Sequence, residues 1–266
     1  MHLFDHRQLT REPAGYTGIC AAGYGSRIFG GHSLSHSLIA ASAAIEHSRT
    51  ASSLHAVFLS PGRAADPVLY SPSTLKRGRA FDAVRVGASQ GDRQILETIV
   101  SFHDGEPGLE YQEMPPEIAP VDSLEDDPLR RYAASDARAP FQCRTVPHDP
   151  RLPRIQTWIR AIDRLSDDPL QHQAALTYAL DFLITRTAHN PIDTEEVRHQ
   201  GASLDHTMWF HRPFRADEWL LVDATAVSFF GNRSLSCASV FDTGGALVSS
   251  ATQEALLRHP AARSPR

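Results

Sequence analysis

The hydrophobic and polar positions follow the same pattern twice along the chain. In each copy a mostly apolar segment, 34–45 or 170–184, precedes several β-branched and aromatic runs that are separated by turn residues. A helix that is apolar nearly all round is typically buried on every side, and runs of this kind are typical of strands joined by hairpin turns. The pattern predicts an α+β fold in which an antiparallel sheet curls around a buried helix, twice in one chain.

The two copies also align with each other residue by residue. Residues 52–70 match 203–222 at an offset of 151 to 152 positions. The matched pairs include Ser52 with Ser203, His55 with His206, Pro61 with Pro213 and Arg63 with Arg215. An internal repeat of this length indicates that a whole structural unit is duplicated.

A segment rich in proline and acidic residues separates the copies. Such a composition is typical of a connecting segment that does not need to form a core of its own. We therefore expect an N-terminal unit at 1–103, a linker at 104–153 and a C-terminal unit at 154–266.

Charge and composition exclude several classes of protein. The 266 residues carry 26 basic and 31 acidic side chains, a net charge of −5, and no block of basic residues. This balance argues against a nucleic-acid partner. The chain has neither an apolar run of about 18 residues nor a basic-then-apolar N-terminus, so we expect no membrane insertion and a cytoplasmic location. Its three widely spaced cysteines indicate neither a disulfide framework nor a cysteine zinc site.

One acid interrupts the second predicted helix. Asp181 is the only charged residue in 174–184. A buried carboxylate is energetically costly unless it is paired, so this acid either pairs with a neighbour for stability or is held for proton transfer. The first predicted helix has no acid before Glu46. Because a structural requirement should appear in both copies, the asymmetry favours a functional role for Asp181.

Two motifs that suggest other chemistry have simpler interpretations. GASQG at 87–91 fits the nucleophile elbow of an α/β-hydrolase, but a β-rich run follows it where that motif needs a helix. We expect a hairpin turn there. His32 and His36 have the spacing to share a metal on one helix face, but no third ligand is evident, so we expect two partly buried histidines and no metal or other cofactor.

Five segments resemble one protein family in order along the chain. They are SRIFGGH at 26–32, LHAVFLSPG at 54–62, YALD at 178–181, SLDHTMWFHRPFRADEWLL at 203–221 and VSSATQEALLR at 248–258. Together they resemble the type II, TesB-like acyl-CoA thioesterases, and the run from Asp205 to Phe214 is especially distinctive. The resemblance implies a double-hotdog fold and hydrolysis of acyl-CoA thioesters to a free acid and CoA, with acyl-CoA as the partner.

The resemblance also implies which residues do the chemistry. Asp181, Ser203 and Gln253 match the family positions that hold and activate a water molecule, and His55 matches a first-half histidine associated with the site. Candidates for substrate binding are Gly30, Gly31 and His32, which open the first helix. The family has FGGQ where this chain has FGGH, so His32 replaces a glutamine and bears on the preference for acyl chain or CoA.

These residue types suit thioester hydrolysis without a covalent intermediate. A thioester carbonyl is already electrophilic, so a positioned and partly deprotonated water suffices. Asp181 would be the base, Ser203 and Gln253 would fix the water, and backbone N–H groups near Gly30 and Gly31 are candidates for stabilising the oxyanion. Because Asp181 has no acidic counterpart in the first copy, we expect one working site per chain, in the second half.

Strand alternation limits which residues of 202–214 can share a pocket. Successive side chains of a strand point to opposite faces, so of the reactive side chains in this run only Ser203 is predicted to be catalytic. A structural role is predicted for the others, which are Asp205, His206, His211 and Arg212.

Three functions remain open on the sequence. The first is an acyl-CoA thioesterase, the second a tailoring enzyme that acts on a carrier-protein-bound or specialised acyl thioester, and the third a non-catalytic acyl-CoA-binding protein. The sequence does not define the acyl chain. A homodimer or tetramer is implied only by the resemblance.

Overall fold

The computed structural model describes residues 4–23, 25–46, 49–126, 140–149, 151–189, 191–192 and 200–259. The first half contains β1 (Thr10–Glu12), β2 (Gly15–Gly18), α1 (Gly30–Ser42), β3 (Thr50–Phe58), β4 (Val68–Arg77), β5 (Phe81–Gln90) and β6 (Arg93–His103). The second half contains β7 (Phe141–Thr145), β8 (Arg154–Ala161), α2 (Pro169–His189), β9 (Gln200–Ser203), β10 (Asp205–Phe210), β11 (Leu220–Phe230), β12 (Arg233–Asp242) and β13 (Leu247–Arg258). Two short 3₁₀ turns lie at His6–Gln8 and Val121–Ser123.

All described strands join one antiparallel sheet. Its order is β1-β2-β4-β5-β6-β3-β10-β13-β12-β11-β8-β7, and β9 pairs with β13 off this path. The two halves meet at its centre, where β3 pairs with β10 and His55 lies opposite Thr207. The predicted α+β arrangement, in which strands wrap a helix twice, is confirmed. β7 falls inside the expected linker 104–153 yet pairs with β8, so the sheet of the second half begins before residue 154.

Both helices are buried on nearly all sides, as the pattern predicts. Every residue of α1 from Gly31 to Ala41 is buried, and α2 is buried from Gln171 to Ile184. Since a wrapped helix has almost no solvent face, its polar side chains must find partners inside the protein. α2 starts at Pro169, directly after Asp168, whose Oδ1 accepts the Leu170 N–H at 3.0 Å as a helix cap does.

The two helices approach each other closely at the start of α1. A Cβ built on Gly31 would lie 2.3 Å from the carbonyl oxygen of Tyr178 on α2, a distance that excludes any side chain. The Tyr178 ring packs against Phe29 at a centroid distance of 4.8 Å and against Phe4 at 5.4 Å. This contact places the first turn of α1 beside the middle of α2.

Strand register defines which residues of the two halves correspond. In the first half Ala51 lies opposite Phe102 and Leu54 opposite Val100, with an extra residue between them. In the second half Ser203 lies opposite Ala255 and Thr207 opposite Thr252, again with one extra residue. Both halves therefore bulge at the same place.

This register corrects the sequence alignment of the copies by one residue. Ser203 corresponds to Ala51 and not to Ser52, and His206 corresponds to Leu54 and not to His55. Gln253, two residues before Ala255, corresponds to Val100, as the sequence comparison indicated.

The GASQG segment forms the end of a strand and a tight turn. β5 ends at Gln90, Gly91 adopts φ +57° and β6 begins at Arg93. A strand follows, so the nucleophile-elbow interpretation is excluded and the predicted hairpin turn is confirmed. Among the described residues, no helix combines the length and the apolar character needed to cross a bilayer.

Candidate active site

The Asp181 carboxylate lies where the two halves meet. It is 5% exposed, and its Oδ2 accepts the backbone N–H of Gly31 at 2.8 Å. Gly31 belongs to the first turn of α1, where N–H groups have no partner within the helix and the helix dipole favours negative charge. The second half thus supplies the acid, and the first half supplies the positive end of a helix that binds it.

Ser203 and Gln253 hold the other carboxylate oxygen. The Gln253 Nε2 donates to Asp181 Oδ1 at 2.8 Å and to Ser203 Oγ at 2.7 Å. The Ser203 hydroxyl donates to the same Asp181 oxygen over a longer distance of 3.3 Å. Gln253 is 1% exposed on the inner face of β13. The structure therefore brings together all three residues that the family resemblance singled out.

His206 also belongs to this cluster, which the sequence analysis did not predict. Its ring is fully buried, and its Nδ1 lies 3.1 Å from Gln253 Oε1. Strand alternation placed Ser203 and His206 on opposite faces, and that prediction is wrong. The bulge between Ser203 and Thr207 adds one residue on this side, so both side chains point inward to α2.

The other reactive side chains of this run lie outside the cluster, as predicted. Asp205 Oδ1 accepts the Glu254 N–H at 2.9 Å, His211 Nε2 bonds to Ser250 Oγ at 2.9 Å, and Arg212 donates to the Leu247 carbonyl at 2.9 Å. Each contact ties β10 or the residues that follow it to β13, which is a structural role.

The structure does not bring His55 to the cluster. Its side chain is exposed on the outer face of β3 and packs edge-on against Trp209 at 5.6 Å. Its neighbours Leu54 and Ala56 point inward and are buried. Because neighbouring side chains alternate, His55 faces away from Asp181, and its catalytic role stays a prediction from the family resemblance.

Gly30, Gly31 and His32 lie at the start of α1 beside the carboxylate. A Cβ on Gly30 would lie 2.9 Å from Asp181 Oδ2 and 3.0 Å from the Phe58 ring, so glycine keeps this space open. The Gly31 N–H is occupied by Asp181. His32 is 3% exposed, and its Nδ1 accepts the Ala21 N–H at 2.8 Å.

Behind His32 lies a cluster of buried polar side chains in the first half. The rings of His32 and His36 are 4.3 Å apart. Burial lowers the pKa of His32 to about 4 and also lowers the pKa of His36. Cys20 Sγ lies 3.1 Å from the Tyr70 hydroxyl, and burial raises the pKa of this thiol to about 12. Within the described ranges no three His, Cys, Asp or Glu side chains are arranged to hold a metal.

Comparison with known proteins defines the family. Residues 21–103 match the model of the acyl-CoA thioesterase N-terminal domain, and residues 112–257 match that of the acyl-CoA thioesterase C-terminal domain. The chain belongs to the acyl-CoA thioesterase family. The matches run through both halves, and the protein is therefore a hydrolase that acts on thioester bonds. The resemblance noted from the sequence motifs is confirmed.

The sequences of known relatives align with nearly the whole length of this thioesterase. Acyl-CoA thioesterase 2 of Haemophilus influenzae is 31% identical, covering 87% of this chain and 88% of the relative. Human acyl-coenzyme A thioesterase 8 is 29% identical over 87% of this chain and 81% of its own length. The crystal structure of the acyl-CoA thioesterase II TesB2 from Mycobacterium marinum is similar with a TM-score of 0.84 at 33% identity, and the match covers 100% of both chains.

A more distant structure supports the fold alone. A protein from Alicyclobacillus acidocaldarius whose title describes a hot dog fold matches with a TM-score of 0.81 at 17% identity, covering 98% of this chain and 99% of the other. The predicted double hotdog is thereby confirmed, because the described chain contains two helices, each wrapped by strands of one antiparallel sheet.

Proposed function

We propose that this thioesterase hydrolyses acyl-CoA by a water molecule that Asp181 deprotonates, without a covalent acyl-enzyme. The observation that carries the proposal is the buried carboxylate, which is bonded to Gly31, Gln253 and Ser203 at once. These contacts orient the carboxylate as a general base needs to be oriented. Because Oδ2 accepts from Gly31 and Oδ1 accepts from Gln253 and Ser203, both carboxylate oxygens are held in place before substrate binds.

We place the water at the longest contact in the cluster. Both N–H bonds of Gln253 Nε2 are used by Asp181 and Ser203, so Gln253 holds the base and the hydroxyl. The bond from Ser203 Oγ to Asp181 Oδ1 is 3.3 Å long and is the weakest. A water that replaces it accepts a hydrogen bond from Ser203 and donates one to Asp181.

The reaction then needs three changes of bonding. The water oxygen attacks the thioester carbonyl carbon while Asp181 takes a water proton. The tetrahedral oxyanion requires an N–H donor, and the Gly31 N–H is already bound to Asp181. The neighbouring N–H of Gly30 is our candidate, since the first turn of a helix has free donors. The carbon–sulfur bond breaks next, and the proton from Asp181 passes to the CoA thiolate.

The test is release of free thiol by the native protein and by Asp181→Asn. The substrates are a panel of acyl-CoAs of different chain length and an acyl-carrier protein. We expect the substitution to lower kcat by about 10²-fold or more, because the amide cannot take the proton. Faster turnover of the carrier-protein substrate would favour the tailoring function that the His32 replacement suggests, and native protein that binds acyl-CoA without releasing thiol would favour the binding function.

Asp82→Asn is the matched control. Asp82 is also a buried carboxylate, 3% exposed, but it lies in the first half and pairs with Arg49 at 2.7 Å. This variant should lose thermal stability and keep kcat within about twofold, since the site does not depend on it. Equal rates for native protein and Asp181→Asn would refute the proposed mechanism.

A further inference from the structure

The side-chain amide of Gln253 serves the site in only one of its two orientations. With Nε2 directed at Asp181 Oδ1 and Ser203 Oγ, both of its hydrogens have acceptors. Rotating the amide by half a turn would direct the carbonyl oxygen Oε1 at the carboxylate. Two acceptors would then face each other, and the base would lose a donor.

His206 provides the group that distinguishes these two orientations. Its Nδ1 lies 3.1 Å from Gln253 Oε1. An amide oxygen can only accept a hydrogen bond, so Nδ1 carries the proton. With the amide rotated, the Nδ1–H would face an NH₂ group, and both donors would lose their bond.

The surroundings of the ring favour a single neutral form. His206 is fully buried, and its Nε2 has no hydrogen-bond partner in the described part of the chain. Protonating Nε2 would bury an N–H without an acceptor. Burial lowers the pKa of His206, while the nearby Asp181 carboxylate acts in the opposite direction. The proton is thus kept on the nitrogen that faces Gln253.

The first half shows that the fold does not require an imidazole here. Leu54 occupies the equivalent position on β3 and is also fully buried. Likewise Val100 occupies the position of Gln253. A histidine and a glutamine that bond to each other therefore replace two apolar residues only in the half that contains Asp181.

We propose that His206 is a positioning residue whose Nδ1–H fixes the Gln253 amide in the orientation that binds Asp181 and Ser203. The inference rests on the proposed function, because His206 acts through Gln253 on the proposed base. It does not contact the reacting atoms. Its loss should allow the amide to sample both orientations and should lower kcat more than it changes KM.

The first test compares His206→Leu with His206→Asn. Leucine fills the site as in the first half but removes the donor, whereas the Asn Nδ2–H can replace the Nδ1–H of histidine. We expect His206→Leu to lower kcat by about 10- to 100-fold with KM changed by less than about threefold. His206→Asn should recover most of that loss. An asparagine variant as slow as the leucine variant would overturn the proposal.

His172→Leu is the matched control for a general effect on stability. His172 is a histidine of α2 with 3% exposure, an Nδ1 that accepts the Ala216 N–H at 3.1 Å and an Nε2 without a partner among described residues. Its replacement should lower the melting temperature and leave kcat within about twofold. If both leucine variants lower kcat equally, the effect of His206 is structural and the proposal fails.

A double-mutant cycle separates this role from the proposed function itself. In a Gln253→Val background, adding His206→Leu should lower kcat no further, because the amide to be oriented is gone. An equal loss from His206→Leu with and without Gln253 would overturn the positioning role. If Asp181→Asn and Gln253→Val are slow but His206→Leu turns over at the native rate, this inference fails and the proposed function stands. Native rates in Asp181→Asn would instead refute the proposed function.

Discussion

The two halves of the protein share the same strands and the same bulge but carry different residues at the inward positions. In the first half the inward positions hold Ala51, Leu54 and Val100, all at most 3% exposed. In the second half the corresponding positions hold Ser203, His206 and Gln253, which form one hydrogen-bonded network with Asp181. Because the apolar set folds equally well, the polar set is not a requirement of the fold. This contrast supports the catalytic role proposed above for the polar set.

The two helices also contribute different groups to the candidate site. α2 contributes the buried acid, whereas α1 contributes a backbone N–H and two buried histidines, His32 and His36. The first half is therefore part of the candidate site although α1 carries no acid of its own. The comparison can be tested by giving each half the residues of the other.

The largest effect is expected when the second half receives the residue of the first, in Gln253→Val. Asp181 Oδ1 and Ser203 Oγ would lose their shared donor, and His206 Nδ1 would lose its acceptor. We expect kcat to fall by about 10²- to 10³-fold, comparable to the loss of a preorganised donor in other active sites. Thiol release at saturating acyl-CoA measures it.

The reverse exchange, Val100→Gln, is the control. Val100 is fully buried among apolar residues, so the new amide should lower the free energy of unfolding by about 2 kcal/mol while kcat remains near the native value. If Val100→Gln slows turnover as much as Gln253→Val does, the two halves do not differ in the way described above.

A smaller effect is expected for Ser203→Ala, which introduces the residue found at the equivalent position 51. The alanine fits there, but the water would lose the hydroxyl that donates to it. We expect kcat to fall by about 10- to 100-fold, with a change in the free energy of unfolding of about 1 kcal/mol. Denaturant unfolding and steady-state kinetics measure the two effects separately.

Ser52→Ala makes the same change at the position that the sequence alignment had paired with Ser203. Its hydroxyl donates to the Ser101 carbonyl at 3.2 Å in the first half. We expect Ser52→Ala to turn over at the native rate and Ser203→Ala to turn over slowly. A slow Ser52→Ala would contradict the register-based correspondence of the halves.

The last effect does not involve turnover, concerns stability in acid and sharpens the contrast between the helices. The pKa of His32 is lowered by burial from 6.5 to about 4, so the unfolded chain binds the proton better. The stabilisation present above pH 6.5 is lost as the pH falls toward 4. For this one group the loss is about 2 kcal/mol between pH 7 and pH 5.

His32→Gln should remove that contribution, because glutamine does not titrate. Denaturant unfolding at pH 7 and pH 5 should show a smaller loss in the variant than in the native protein. His172 and His206 remain in both proteins and contribute to both. The His32 charge is one cause of the lowered pKa of His36, so the variant also reduces the contribution of His36, in the same direction. Identical losses in the two proteins would show that His32 is not the group that titrates.

Much of the fold and part of the site could be predicted from the sequence. The repeated pattern predicts the wrapped helices, because burial on all sides requires apolar residues on all sides. Asp181 is conspicuous because it is the only charged residue in the apolar segment 174–184. Ser203 and Gln253 were identified only through the family resemblance, since an isolated serine or glutamine in a strand has no distinctive pattern.

His206 and His55 show what the sequence could not provide. A bulge adds one residue to a strand and reverses the direction of every side chain beyond it. Neither copy contains a glycine at this bulge to signal it. The alternation rule therefore placed His206 on the wrong face, and the alignment of the copies placed His55 opposite the wrong residue. Strand pairing, which depends on partners far along the chain, was needed to correct both.

The hydrogen bond from Gly31 to Asp181 also bears on how the two copies can diverge. What the first copy contributes is a main-chain amide, which every amino acid except proline possesses. Side-chain chemistry there is free to change, whereas bulk is not, because the Tyr178 carbonyl lies where a Cβ would be. On the mechanism proposed above, the first copy can exchange nearly all of its functional groups and still complete the site of the second, provided that residues 30 and 31 stay small.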